Sequence, residues 1–405
     1  MHRKRKHFIC LILFFAGSIA FCLSNANAET KIIYSSSELG FANDSAIYGK
    51  YVYVIGDKGM AILDFSNPQA PKRIKALLSK EPFQDIYVAG DYAYVTCGTR
   101  RAFMGKLKIF DVSAPQNTYE IKNNLLLPEA PVGVYVREGI AYIACFASGI
   151  FLVDVKNPRY PRVISNFKLP HVSNSEIEEK MAVTAKRNPE NFVNKFGRKM
   201  GFNTLEDGLK WIRHSYGTKA HAWWFTLRYP YVFLCADAAG LFIIDISDPG
   251  NPVQKGYFNK KLANGKDCFF NDIEVHGSYA FIALDYLGML VLDISDLENP
   301  KEITHVNPWE GAKWLTSAGH MIQIEIKGNL AYLTAGKDGL YVYDISNPKA
   351  PGLVTKFPGS YSAQKGCAWG VFTEGDYISV GYSSNCPPSR QRSPLGGAFE
   401  IFVER

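Results

Sequence analysis

A large excess of charge of either sign is missing from this chain. Its 405 residues hold 45 Lys and Arg against 38 Asp and Glu, and four of the bases, Arg3, Lys4, Arg5 and Lys6, stand together near the N-terminus with no acid to match them. What remains is close to neutral and gives no argument for a nucleic-acid partner. C-x-x-C pairs are absent, so a haem attachment site, a thioredoxin-like motif and a zinc ribbon have no support. Equally absent are a nucleophile elbow, a P-loop, a dinucleotide fingerprint and H-E-x-x-H, the compact signatures that place a nucleophile, a phosphate or a zinc ion. No apolar run of membrane-spanning length follows residue 28, so no transmembrane segment is expected in the mature chain. What the sequence does have is 34 Gly, 21 Pro, 23 Tyr and 26 Phe with 47% hydrophobic residues. That composition is globular, turn-rich and aromatic-rich, and it argues against disorder, collagen and coiled coil.

Residues 1–28 follow the secretory pattern: the basic stretch, an apolar run from Phe8 to Leu23, and Ala26-Asn27-Ala28 as a small-residue cleavage site. Export is therefore expected, to the periplasm or to the extracellular or cell-surface side. Cys22 follows Ile19-Ala20-Phe21, and the bulky Phe21 departs from a lipoprotein signal.

Downstream, one pattern recurs: an Ala-Tyr-Val-like strand, a short loop with Gly, a strand ending in Asp, then an Asn-Pro turn. Tyr51 to Asp64 reads YVYVIGDKGMAILD, Ala141 to Asp154 reads AYIACFASGIFLVD, and Ala331 to Asp344 reads AYLTAGKDGLYVYD. The marker acids stand at 64, 111, 154, 245, 293, 344 and 400, with Glu400 closing the series. A period of about 40–50 residues with four short strands per unit marks propeller blades rather than a helical solenoid. Seven units predict an all-β, seven-bladed β-propeller over residues 29–405. The marker Asp residues read as turn chemistry, because Asp accepts from nearby backbone N–H groups and Pro presets φ. The strand motif appears as Phe151-Leu-Val-Asp154, Phe242-Ile-Ile-Asp245, Leu290-Val-Leu-Asp293 and Tyr341-Val-Tyr-Asp344. In these motifs the chain resembles the proteins with LVIVD repeats, β-propellers of bacterial and archaeal cell surfaces. That resemblance implies an exported binding or scaffolding module and supplies no catalytic residues.

The last unit lacks an outer strand, and Lys31 to Ser36 is expected to supply it, pairing the two ends and removing an exposed edge. The step from Asp154 to Asp245 is about twice the others, and the excess lies between Pro170 and Lys219. Its helix-start signals, Ser175-x-x-Glu178, Asn188-Pro189 and Thr204-x-x-Asp207, predict three short helices inserted between blades three and four. An eighth blade is the alternative that this helical spacing opposes. Because antiparallel strands alternate direction, the insertion shares a face with the loops joining second and third strands; this is the loop-rich face.

Six cysteines follow the leader: Cys97, Cys145, Cys235, Cys268, Cys367 and Cys386. In an exported protein they allow disulfides, while Cys in strands is also a common small core residue. Aligning the inner strands places His221, Phe269, His320 and Cys367 at one equivalent position near the mouth of the central channel. Two imidazoles and a thiolate are adequate ligands for copper or zinc, so His221, His320 and Cys367 form the candidate metal set, with no cofactor otherwise implied. Trp223, Phe269, Asp272, Tyr286 and Trp369 form a candidate ligand-binding set, since Trp and Tyr join large contact area to a polar tip. Within a strand, Trp223 and its neighbour Trp224 would point to opposite faces. Two functions are left: a non-catalytic propeller binding a protein or cell-surface component through the loop-rich face, or a periplasmic metal-dependent oxidoreductase at the channel mouth.

Overall fold

The structure is a computed structural model that describes residues 34–35, 42–67, 71–99, 102, 104–197, 200–262, 264–265, 267–309, 320–357, 367–374, 377–383 and 398–403. The expected leader and Cys386 lie outside the described residues. The fold is an all-β β-propeller with a small helical insertion. Its strands form seven four-stranded antiparallel sheets. Taken in chain order, their inner strands are Ala42–Tyr48, Phe83–Ala89, Gly133–Arg137, Phe225–Arg228, Asp272–His276, Ile324–Lys327 and Cys367–Glu374. Six sheets each come from one continuous stretch of chain. The seventh is composed from both ends, in the order Tyr34–Ser35, Ala398–Val403, Tyr377–Ser383, Cys367–Glu374.

The strand sequences explain this layering. Second and third strands are sandwiched between neighbouring sheets, so they read as unbroken apolar runs: in Tyr231–Cys235 and Leu241–Asp245 only one terminal residue of each escapes full burial. Outer strands meet solvent and are mostly exposed or half-buried, as in Val253–Phe258. The core is accordingly a set of layers between sheets. In one such layer Tyr142 and Leu152 of the third sheet pack with Leu234 and Ile244 of the fourth, each buried aliphatic side chain contributing about 1.5–3 kcal/mol.

Turn chemistry repeats with the strands. Asp64, Asp111, Asp154, Asp245, Asp293 and Asp344 each accept from the backbone N–H two residues on, at 2.8 to 3.1 Å, which assigns the marker acids to the scaffold. The Ser66, Ser113 and Ser295 hydroxyls first, and then these backbone bonds, hold the carboxyls of Asp64, Asp111 and Asp293 below the usual range; at Asp154 and Asp245 the backbone bond leads, joined at Asp245 by the Ser247 hydroxyl.

Ring closure works through the N-terminal segment: Tyr34 pairs with Phe399 and Ser35 with Ala398. Deleting residues 29–37 would reopen that edge. The melting midpoint should then fall by about 2–4 °C for each kcal/mol of pairing lost; a midpoint equal to that of the full chain would show that the segment closes nothing.

The helices lie between Phe167 and Phe225: Ser175–Arg187 (α1), Pro189–Phe192 (α2) running into a π turn at Val193–Gly197, and Leu205–Tyr216 (α3). Asn188 and Thr204 cap α2 and α3 by accepting from Asn191 and Asp207 N–H. The first cap is Asn174 rather than Ser175, which is already helical, and it makes no side-chain capping bond. Ala185, Phe192, Phe202, Trp211 and Ile212 give the insertion its own small core, with Leu205 and Leu209 packed against it. Among the described residues no helix is long and apolar enough to cross a membrane.

Candidate functional site

Successive inner strands lie side by side around a central channel, and on the loop-rich face the sheets are tied to one another by a repeating set of bonds. The loop between second and third strands carries a residue of positive φ: Phe146 (37°), Asp237 (57°), Asp285 (48°) and Gly336 (57°). Each pairs by backbone with the residue entering the next sheet, respectively Ala222, Phe270, Met321 and Ala368. Non-glycine residues rarely adopt this conformation, and here the inter-sheet bonds over-determine it.

A second tie runs along the channel wall. Asp44 accepts from Ile86 N–H at 3.2 Å, Asp85 from Val134 N–H at 2.5 Å, Asp272 from Ile324 N–H at 3.1 Å, and Gln323 from Val371 N–H at 3.0 Å. All four occupy one register position, each binding the inner strand of the following sheet. The residue before them repeats the theme: Asn43 donates to Phe83 C=O and Asn271 to Met321 C=O. Asp272, expected as a ligand contact, therefore has both oxygens engaged, the other accepting from its neighbour Ile273 N–H at 2.8 Å.

The channel concentrates acidic side chains. Glu274 and Glu325, both within inner strands, stand two residues beyond Asp272 and Gln323. Burial pushes the carboxyls of Asp44, Asp272 and Glu325 well above the ordinary range, with the Asp85 charge adding to the effect at Asp44 and the Glu274 charge at Glu325. Burial also raises Glu274 and Asp85. Glu274 is partly offset by Arg228, whose guanidinium lies 3.1 Å away. Asp44 and Asp85 share a hydrogen bond that raises the first and lowers the second, so Asp44 is the member that holds the proton.

The three candidate metal ligands are not a ligand set. His221 Nδ1 lies 2.9 Å from Asp237 and its Nε2 lies 3.1 Å from Ser215 C=O. His320 Nδ1 lies 2.5 Å from Asp285. Cys367 is in a disulfide, which removes the thiolate a metal would need. Cys97, Cys145, Cys235 and Cys268 are free and buried, so the partner of Cys367 lies outside the described residues. Burial pushes the Cys97 thiol to about 12 and that of Cys268 to about 11, the behaviour of core residues. Among the described residues no three His, Cys, Asp or Glu side chains are grouped to hold a metal ion. The alignment of His221, His320 and Cys367 is real, but they belong to different sheets around the ring, and each is engaged by a nearer partner.

Of the candidate ligand set, Trp223, Phe269, Tyr286 and Trp369 are half-buried on the loop-rich face while Asp272 is buried in the channel. Trp223 stacks on Trp224 at 5.4 Å and packs on Phe146 at 4.9 Å. The two indoles do not point to opposite faces, because the strand begins only at Phe225 and its alternation does not reach them. Tyr286 packs against the layers on both sides of the fifth sheet, toward the fourth and toward the sixth, and the carbonyl of Trp369 accepts from Thr334 Oγ1. The five are spread over the fourth, fifth and seventh sheets and the connections that enter them.

Residues the sequence reading passed over are Asp44, Asp85, Glu274, Glu325 and Glu129, and at Asp272 it missed the inter-sheet tie. Asp44, Asp85 and Asp272 had a legible signal: Asn43-Asp44, Gln84-Asp85 and Asn271-Asp272 repeat an amide–acid pair at one register. Glu129 had none, since its partners Ser148 and His214 come from a later loop and from the insertion.

Comparison with known proteins bears on this scaffold. The family model described as LVIVD repeat matches residues 39–75, 83–123, 132–168, 229–260, 270–307 and 318–358, together more than half of the chain. Among solved structures, the chain is similar to the Cps50 (Swd1) β-propeller domain of Myceliophteria thermophila, with TM-score 0.56 and 11% identity over 90% of this chain and 97% of that one. YCF48, solved bound to D1 peptide, gives TM-score 0.55 and 8% identity over 90% and 93%. The computationally designed Ika8 protein gives TM-score 0.53 and 8% identity over 92% and 99%. Identities this low show the fold alone. No curated protein matches the chain.

Proposed function

Because the chain belongs to the LVIVD-repeat family, we propose that it works as that repeat scaffold allows: an exported, seven-bladed, non-catalytic propeller that binds a protein or other cell-surface component through its loop-rich face and helical insertion. One observation carries the reading. The polar groups of the repeat are engaged in tying sheet to sheet, whereas the helices and the half-buried Trp223, Phe269, Tyr286 and Trp369 stand together on one face without recurring in every sheet. Aromatic side chains that are neither core nor fully exposed are the groups from which binding hot spots are built. Export is supported by the basic and apolar leader pattern and by the disulfide at Cys367, a bond that persists in oxidising compartments.

Photo-crosslinking in the native cell tests the face. A photoreactive side chain at Tyr286 or Phe269 should give a discrete adduct, and the same group at Tyr160, exposed in the turn before an outer strand, should give none. Equal labelling from both positions, or labelling from Tyr160 alone, would refute the assignment.

A further inference from the structure

The helical insertion touches the propeller in an unusual way. Its apolar residues pack with one another in a core that includes no residue of the sheets, and its connection is a narrow two-stranded neck: Asn174 N–H donates to Gly217 C=O, Lys219 N–H donates to Val172 C=O, and Ser173 pairs with Thr218. Beyond the neck, polar bonds join the insertion to the propeller. At the C-terminal end of α3, His214 Nε2 lies 3.2 Å from Glu129 Oε2, and Ser215 C=O lies 3.1 Å from His221 Nε2. Lys219 pairs with Asp267 at 2.6 Å, in the connection that enters the fifth sheet.

Glu129 is the residue around which this seat is built. Its side chain is only 1% exposed, in the connection that enters the third sheet. One oxygen takes Ser148 N–H, Ser148 Oγ and His214, each at 3.2 Å; the other has no hydrogen-bond partner among the described residues. A buried carboxylate needs a cation or several donors, and among the described residues His214 is the cationic side chain paired with it. His214 also sits in the last turn of α3, where the helix dipole favours positive charge.

We propose that the insertion is a hinged cap over a polar recess of the loop-rich face, fastened when His214 is protonated and released when it is not. Release swings the cap on the 172–174 and 217–219 neck and uncovers Glu129, Ser148 and His221, so that access to the recess follows external pH. The Glu129 hydrogen bond raises the affinity of His214 for its proton, against an opposing effect of burial. A raised imidazole contributes its stabilisation fully below the ordinary His range and loses it as pH rises through the folded-state value. The cap is therefore closed in mild acid and loosens toward alkaline pH. Other charged or titratable groups face this end of the cap. Cys145 faces Glu129, and its thiol is pushed well up by burial and by that charge. Arg213 pairs with Glu178 within the insertion, Lys210 with Glu206 and Asp207, Lys219 with Asp267, and His221 with Asp237; His171 is exposed at the start of the neck.

Hydrogen exchange read by mass spectrometry on the full chain, corrected for intrinsic rate, tests the cap at about pH 5.5 and about pH 8.5, either side of the ordinary His range. Exchange across 175–216 relative to the sheets should rise about tenfold toward alkaline pH, the effect of losing one charge-assisted hydrogen bond. The response should be flat in Glu129→Gln. In His214→Lys, which keeps a cation at both values, the cap should stay closed. A wild-type cap indifferent to pH overturns the proposal, as does a pH response that survives in His214→Lys, since His171 or His221 would then be its source. Should Glu129→Gln not fold, the wild-type and His214→Lys measurements decide.

Discussion

Replacing Gly240 with alanine should lower the stability of the propeller by about 3 kcal/mol or more, one of the larger effects available to a single methyl group. Gly240 opens the third strand of the fourth sheet at φ +94°, and a Cβ there would stand 2.3 Å from Phe258 C=O and 2.9 Å from Asn259 Cβ. The backbone of the outer strand occupies the space, so neither a rotamer change nor a small side-chain shift relieves the contact. Both a left-handed conformation and overpacking against backbone oppose the substitution, each costing about 1–3 kcal/mol. The same arrangement recurs at Gly59, Gly149 and Gly288, where the carbonyls of Leu77, Phe167 and Val306 stand 2.0, 2.1 and 2.2 Å from the Cβ position. This is why the repeat carries glycine before its third strand. Gly277 is the control: its φ is +59° with nothing within 4 Å of a Cβ, so Gly277→Ala should cost only the conformational part, about 1–2 kcal/mol. Equal denaturation midpoints for the two variants would show that close approach is not what the repeat glycine serves.

Acidification from neutral pH should stabilise the protein before it destabilises it. The native state keeps protons on Asp44, Asp272 and Glu325 at pH values where the unfolded chain has lost them. Stability therefore falls as pH rises from the ordinary carboxylate range through the raised folded-state values. The turn acids Asp64, Asp111, Asp154, Asp245 and Asp293 act in the opposite sense, because their lowered values make their contribution disappear as pH falls through them. A mildly acidic optimum results. Asp44→Asn separates the channel from the turns: the amide can still donate to Asp85 and accept from Ile86 N–H, yet it carries no charge to bury. It should match or exceed the wild type at neutral pH and flatten the fall, whereas Asp44→Ala, which takes the hydrogen-bond partner from buried Asp85 and leaves Ile86 N–H only its bond to Asp85 Oδ1, should cost about 1–3 kcal/mol. Urea denaturation across pH measures both. A wild-type profile rising steadily from acid to neutral, unchanged in Asp44→Asn, would exclude a shared proton at the Asp44–Asp85 pair.

The candidate site was legible only where its signal is local. His221, Phe269, His320 and Cys367 do fall at one register, because a strand repeat carries position as well as composition. Their chemistry did not follow from that register. Whether His320 meets a metal or Asp285 depends on a loop 35 residues earlier, and whether Cys367 is a thiolate or a disulfide depends on a cysteine outside its own strand.

By itself the sequence determined the repeat: its strands, its Asp-centred turns, its helical insertion with two of three caps, and the N-terminal strand that closes the ring. All but the last are written in residues a few positions apart, through alternation, φ preference and side-chain bonds to the nearest backbone, and the closing strand follows from counting the strands that the last repeat lacks. Only the tertiary structure decided what the polar residues do. The acids at 44, 85 and 272 bind N–H groups 42 to 52 residues away, and Glu129 meets a helix from the insertion. In a propeller every sheet packs against the next repeat, so a buried polar group finds its partner about one repeat along the chain, beyond the reach of any local pattern.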